Sequence, residues 1–423
     1  MFRKIKNLVK NPYALSLITK IFSVLVGFFF TVFQARFLGA EIKGQVATVS
    51  SMLQITAIVF SIAIHQAYPY YKRNTEEDIL PVFMKIALLF LVFYGAVAGL
   101  IIGLFTLPAK YIAVMVITPL FVYDRIVSDL TQVEAPNKKS LTDMIVMLGE
   151  LIFVIILWRF SEPTFFIGVI VIAIKDMTRA AMCTFLWRKR IFVHSQSIRK
   201  WLPKLLKFSF FPMLTLLMSA LSYRIDVIML DGRVPDAAIG VYSIGIAIAE
   251  RIWMIPDAMR GVMLSHLARG KDETETAFVI RMSNTGCLLL IIAIIALGKP
   301  FINIFFGAEY QEAYPITMLI IMGAFSMIYY KLISAYNIAM GKRTITFVLL
   351  TISVVVNMVV NWFLVPVWGI YGAGAASLIS YSLCGIMFII FFCHTIHVPF
   401  KDMLIIKRSD LARVKQLISR KQG

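Results

Sequence analysis

Apolar residues fill this chain in blocks of roughly 20, each long enough to cross about 30 Å of hydrocarbon, with short polar punctuation between them. Twelve such blocks predict helical spans at 13–33, 44–65, 82–105, 111–132, 141–159, 165–187, 207–229, 240–265, 278–298, 313–338, 345–364 and 373–394. Connections are short except for the basic stretch 188–206. That stretch divides the chain into a six-span lobe at 1–195, a second at 196–400, and a basic tail at 401–423. The pattern predicts an all-α polytopic membrane protein of about 12 transmembrane helices in two six-helix lobes.

Short matches between the halves suggest a duplication. A span ends at Arg36, a loop follows, and a new run starts at Gly44 (GQVATVSS). In the second half a span ends near Leu230 and a run starts at Gly240 (GVYSIGIA). Asn137-Lys138-Lys139-Ser140 corresponds in the same way to Gly341-Lys342-Arg343-Thr344. Parallel repeats of this kind are common in secondary transporters.

Composition agrees with a membrane solvent. The 423 residues are 60% hydrophobic and 15% charged, where soluble domains carry about 25% charged residues. The net charge of +19 invites a nucleic-acid reading, which its distribution rejects. With the N-terminus inside, the inner segments carry about 26 Lys and Arg against roughly six outside, so the positive-inside rule places both termini and the 188–206 segment in the cytoplasm. The first apolar block is too long for a signal-peptide core. Cys183, Cys287, Cys384 and Cys393 fall in or beside spans, with no disulfide framework and no metal-ligand spacing. In the tail, Leu411, Val414, Leu417 and Ile418 form an apolar stripe flanked by Lys and Arg, with Ser409 or Asp410 as a cap. It fits either a helix on the anionic inner leaflet or a solvated tail.

Polar residues inside lipid are costly and face the bundle interior or water. Four spans carry them at helical spacing: Lys20, Ser23, Gly27, Thr31 and Gln34 on span one; Ser51, Gln54, Ser61 and His65 on span two; Thr215, Ser219, Ser222 and Asp226 on span seven; Ser243, Glu250, Asp257 and Arg260 on span eight. The simplest arrangement lines one water-accessible cavity between the lobes with all four. For Ser and Thr the competing reading is a bond to their own backbone. Arg224 is placed either in the cavity or snorkelling at the end of span seven. Glu250–Arg251 and Asp124–Arg125 are candidate local pairs, although adjacent helical residues point about 100° apart. Lys331 is either a cavity cation or the partner of a distant acid. His65 reads as a polar end-of-helix residue. Pro212, Pro256 and Pro315 are expected to interrupt spans seven, eight and ten. Gly372 to Ala376 (GAGAA) reads as a close-packing surface. There is no Walker A, HExxH or GxSxG motif, and no cofactor or metal is expected.

Several stretches carry a resemblance. They are Ala35-Arg36-Phe37-Leu38-Gly39 followed by Gly44; Arg224-Ile225-Asp226-Val227-Ile228-Met229-Leu230 followed by Ile239-Gly240-Val241-Tyr242-Ser243; Phe306-Gly307-Ala308-Glu309-Tyr310 with Ala313; and Asn357, Asn361, Pro366, Gly369, Gly372 and Ala373. In this order the chain resembles the Wzx-type O-antigen and capsule repeat-unit flippases of the MOP superfamily. The resemblance implies a V-shaped pair of six-helix lobes with spans one, two, seven and eight lining the gap. It also implies an undecaprenyl-pyrophosphate-linked oligosaccharide as substrate, a cationic cavity and a bacterial plasma-membrane location.

The expected cavity residues are Lys20, Gln34, Arg36, Gln54, Arg224, Asp226, Glu250, Arg251, Asp257 and Arg260. A proton or sodium counter-ion, membrane lipids and monomeric operation beside polysaccharide-assembly proteins complete the expectation. The alternative is a MATE-like cation or drug antiporter, which would favour an acid on span one. A membrane polymerase or ligase of the same pathway is disfavoured by the short outer loops.

Overall fold

A computed structural model describes residues 12–191, 197–267, 273–397, 399–404, 406, 407 and 410. Their regular structure is helical. The helix Pro12–Ser61 is broken at Gly39, whose φ of 70° and ψ of 170° suit glycine. It therefore gives two elements, α1 (12–38) and α2 (40–61). Next come α3 (Leu80–Leu104), α4 (Ala109–Glu134), α5 (Pro136–Phe160) and α6 (Phe165–Ile191). After α7 (Ile198–Leu230), α8 covers 236–267 and contains a 3-10 turn at Glu250–Trp253. The last four are α9 (Glu273–Phe305), α10 (Ala313–Ala339), and α11 (343–368) with α12 (370–396), the arms of Arg343–Ile396 broken at Gly369.

Among the described residues, nine continuous helices are long and apolar enough to cross a membrane. Two of these are the glycine-broken ones, and α6 is the remaining span. Mid-helix, α6 carries Lys175, Asp176 and Arg179, which lowers its hydropathy. The sequence expectation of about twelve helical spans holds.

Three details differ from expectation. The connection after Arg36 is not a loop, because one glycine with positive φ suffices to break the helix. The basic stretch 188–206 is largely helical: α6 runs to Ile191 and α7 starts at Ile198, with 192–196 outside the described residues. Arg188, Lys189 and Arg190 occupy the last turn of α6, where cations complement the helix dipole. Pro315 does not interrupt its span. It lies in the first turn of α10, where a backbone N–H has no intrahelical partner to lose. Helix-internal prolines are instead Pro119 in α4, Pro203 and Pro212 in α7, Pro300 in α9 and Pro366 in α11. Pro256 follows the 3-10 turn of α8.

The chain forms two compact units. One is Met1–Arg224 with Pro235–Gly240, and the other is Ile225–Val234 with Val241–Gly423. The first contains a core of Phe83, Met84 and Ile86 from α3, Ile126, Val127 and Leu130 from α4, and Ala180 and Cys183 from α6. Trp201 and Leu205 from the start of α7 join it, which ties that end of α7 to the first unit. In the second unit Arg281 of α9 donates to both carboxylate oxygens of Asp410, each at 2.7 Å, and to Asp402 O at 2.8 Å. That guanidinium holds the Asp410 carboxyl below the usual carboxylate range. The stripe expected at Leu411–Ile418 and its alternative cap Ser409 lie outside the described residues. All four cysteines are free thiols.

Candidate functional site

The polar faces of α1, α2 and α7 fold as helices whose hydroxyls are largely self-satisfied. Thr31 donates to Gly27 O at 2.7 Å, Ser51 to Ala47 O at 2.8 Å, Ser61 to Ile58 O at 3.2 Å and Thr215 to Phe211 O at 3.2 Å. These bonds remove a group's cost inside lipid without any ligand, so these four hydroxyls follow the backbone reading.

The expected site residues fall into separate groups. Lys20 lies on α1, with its side chain outside the described ones. Gln34 is buried and accepts from Lys43 Nζ, while Arg36 is exposed. Gln54 of α2 accepts from Arg224 Nε of α7 at 3.2 Å. Arg224 is therefore engaged within the first unit rather than simply snorkelling.

Asp226 is buried in the second unit at 1% exposure. Its Oδ2 accepts from Tyr242 Oη at 2.8 Å and from Ser377 Oγ at 2.5 Å. The network continues along α12 and α11. Ser380 Oγ donates to Ser377 O at 3.3 Å, Asn357 Nδ2 to Ser380 Oγ at 2.8 Å, and Asn361 Nδ2 to Asn357 Oδ1 at 3.0 Å. Asn357 and Asn361, which carried part of the family resemblance, join this network through Ser380 rather than by contact with Asp226. A buried network of this kind is stable only when its members satisfy one another.

Glu250 and Arg251 occupy the 3-10 turn of α8, half-buried, and Arg260 is half-buried further along the helix. Asp257 is exposed and bonded to Lys331 of α10, with Nζ 3.1 Å from both oxygens. The same Nζ sits 4.8 Å from the Trp253 ring centroid. Of the two readings of Lys331, the structure gives pairing with a distant acid.

A charged cluster that no polar stripe predicts lies inside the first unit. Asp124 does not pair with its neighbour Arg125. It accepts from Arg179 Nε of α6 at 3.0 and 3.1 Å, and the same guanidinium reaches Asp176. Lys139, itself 6% exposed, bonds Asp143, and Lys175 pairs with Glu150 at 3.7 Å. Beside the cluster, α2 ends in two left-handed residues, Ile62 (φ 47°) and Ala63 (φ 49°), a conformation uncommon for residues other than glycine. They lead into a buried His65, whose Nε2 lies 3.3 Å from Asp129 Oδ2. Gln54, Ala57, Phe121, Asp124, Arg125, Ser128, Asp129, Lys139, Asp176 and Arg179 line a partly open cavity of about 300 Å3. The available signal was Lys175-Asp176-x2-Arg179 within an otherwise apolar block, facing Asp124 and Ser128 one turn apart on α4.

No protein-family model matches the sequence, and no curated protein matches it. Solved structures do. The chain superposes on the lipid II flippase MurJ in an inward closed conformation with TM-score 0.69 and 19% identity, covering 91% of this chain and 88% of that one. It also matches an inward-facing multidrug-resistance MATE transporter of the MOP superfamily, with TM-score 0.64 and 11% identity over 89% and 95% of the two chains. A third match is a MOP superfamily transporter from Pyrococcus furiosus, described as having a binding pocket of reversed polarity. Its TM-score is 0.61 and its identity 14%, over 93% and 98%. The chain is thus a multi-pass membrane protein. Its fold is the one shared by MurJ and the MATE transporters.

Proposed function

We propose that this chain is a flippase that moves an undecaprenyl-pyrophosphate-linked oligosaccharide from the inner to the outer leaflet of a bacterial plasma membrane, for surface-polysaccharide assembly. The observation that carries this reading is the likeness to a lipid II flippase over nine tenths of the chain. The intramembrane cations Lys20, Arg36, Arg224, Arg251 and Arg260 support it. A charged head group leaving water for a low-dielectric slab gains from positive charge already in place. The positive-inside asymmetry puts both termini in the cytoplasm. The chain divides functionally into six-span lobes at 1–195 and 196–400, and the head group passes along the polar faces of α1, α2, α7 and α8. A proton or sodium ion bound at Asp226, Glu250 or Asp257 is the counter-ion candidate.

A MATE-like cation antiporter is the second reading, favoured by the buried acid Asp226 and by the multidrug-transporter fold matches. Reconstitution separates the two. Proteoliposomes loaded with the lipid-linked oligosaccharide should expose its head group to an added glycosidase at a rate set by this protein. Lys20→Ala and Arg251→Ala should slow that rate at equal protein levels, while Lys20→Arg keeps it. Efflux of an organic cation with no head-group exposure would replace the flippase reading with the antiporter.

A further inference from the structure

The cavity of the first unit shares Gln54 with the transport path proposed above; its other lining residues have no role there. Asp129 lies five residues before the end of α4 and Lys139 three after the start of α5. At about 1.5 Å per residue the cavity therefore reaches to within roughly 8 Å of helix ends that the proposed topology puts in the cytoplasm. It faces the side from which a substrate is loaded.

Its chemistry narrows the occupant. About 300 Å3 is far more than one ion needs, since a water occupies about 30 Å3, and it falls at the lower end of the ~300–1,000 Å3 range of small-molecule sites. The wall holds three aspartates against two arginines and a lysine, so it exerts little net pull on a free anion or cation. Arg179 is committed to Asp124 and Asp176, and Lys139 to Asp143. Arg125, also in the wall, interacts electrostatically with Asp129 and His65. Asp129, half-exposed and within 3.3 Å of His65 Nε2 through Oδ2, lies one helical turn from Arg125, and Ser128 and Gln54, the latter also bonded to Arg224, add neutral polar groups. Alternating donors and acceptors in a confined space match a molecule whose groups each donate and accept, which is what hydroxyls do. Phe121 supplies an apolar face for ring C–H groups.

We propose that this cavity is a sugar-binding pocket, in which Arg125, Asp129, Ser128 and Gln54 read the hydroxyls of one or two rings of the transported head group against Phe121. The proposal rests on the flippase reading for its biological ligand, but its test does not require flipping. The full chain in lipid nanodiscs is titrated with the methyl glycosides of glucose, galactose, N-acetylglucosamine and glucuronic acid, and binding is read by saturation-transfer NMR. At least one glycoside should bind. Its Kd should rise about tenfold or more in Arg125→Gln, as expected when a hydrogen bond to a charged group is lost. Gln54→Ala should weaken it in the same direction, and Ile390→Ala, on an exposed face of the second unit, should leave it unchanged. Absence of binding by all four glycosides, or binding indifferent to both cavity variants, overturns the proposal. If Arg125→Gln does not fold, Gln54→Ala decides. Glycoside binding without head-group flipping keeps the pocket and rejects the flippase; flipping without glycoside binding does the reverse.

Discussion

Gly44 and Gly240 make one contact seen from both sides. A Cβ on Gly44 would lie 1.8 Å from the carbonyl oxygen of Asp236, and a Cβ on Gly240 would lie 2.0 Å from that of Ala40. Asp236 precedes Gly240 by four residues, as Ala40 precedes Gly44. The contact is therefore reciprocal. These are the same two glycines that start equivalent runs in the two halves of the sequence. The crossing is fastened by Asp236, whose carboxylate accepts from Gln45 Nε2 at 3.0 Å and Lys110 Nζ at 2.6 Å.

Backbone lies in the way of both methyl groups, so Gly44→Ala and Gly240→Ala must each push two helices apart. Overpacking of this kind costs about 1–3 kcal/mol or more. At Gly95, Gly99 and Gly103 an added Cβ would meet no heavy atom within 4 Å, and alanine there gains helix propensity of up to ~1 kcal/mol. Thermal unfolding in detergent should show the first two variants destabilised and Gly99→Ala unchanged or stabilised. Equal melting temperatures for Gly44→Ala and Gly99→Ala would refute the tight crossing.

Arg179 holds two buried carboxylates at once. Replacing it by Met leaves Asp124 and Asp176 facing each other without their cation, and breaking a buried pair from one side costs about 3–5 kcal/mol. Lysine lacks the planar fork that reaches both acids, so Arg179→Lys should rescue poorly. Removing the charges together, as Asp124→Asn, Asp176→Asn and Arg179→Met, should recover most of the lost melting temperature. A single Arg179→Met variant as stable as wild type would show that the triad is not a stabilising unit.

Lys331 and Asp257 are a different case, because the Asp257 side chain is 50% exposed. Exposed pairs contribute about 0–1 kcal/mol. Lys331→Met and Asp257→Asn should therefore melt close to wild type while slowing head-group exposure in proteoliposomes. The double variant should be no slower than the worse single one, since both act through one pair. A large fall in melting temperature for either single variant would make the pair structural instead.

The spans were legible because each one is a separate apolar block, and the same blocks recur as α1 to α12. The breaks at Gly39 and Gly369 fall inside the predicted gaps 34–43 and 365–372, but hydropathy does not show that a single glycine with positive φ, rather than a loop, makes each of them. Pro315 was misread although the predicted start at 313 matches the first residue of α10: a proline in the first turn removes no intrahelical hydrogen bond and so does not interrupt a span. Pair partners were beyond reach: Asp124 and Arg179 are 55 residues apart, and only tertiary packing of α4 on α6 chooses Arg179 over the adjacent Arg125. The polar stripes marked Gln54, Asp226 and Asp257, and the structure gives each a hydrogen-bond partner the sequence did not name. No stripe marked α6, where the charges sit in a single turn.

Membrane potential should drive transport if the substrate is the anionic lipid proposed above. The cell interior is negative, so outward movement of an anion is downhill by roughly 2.3 kcal/mol per charge per 100 mV. A pyrophosphate diester carries about two charges at neutral pH, which gives on the order of 4–5 kcal/mol, and the sequence has no nucleotide-binding motif to supply energy otherwise. Cations that moved with the head group would reduce this figure, and a counter-ion at Asp226 or Asp257 would replace it. Proteoliposomes with a potassium–valinomycin potential at fixed pH and sodium distinguish these cases. An inside-negative potential should speed outward exposure of the head group, and reversal of the potential should slow it. Rates indifferent to the sign of the potential but dependent on a proton or sodium gradient would reject potential-driven export in favour of ion antiport. In that case Asp226→Asn, which keeps an oxygen for Tyr242 and Ser377 to bond but removes the charge, should abolish the gradient dependence while leaving the network folded.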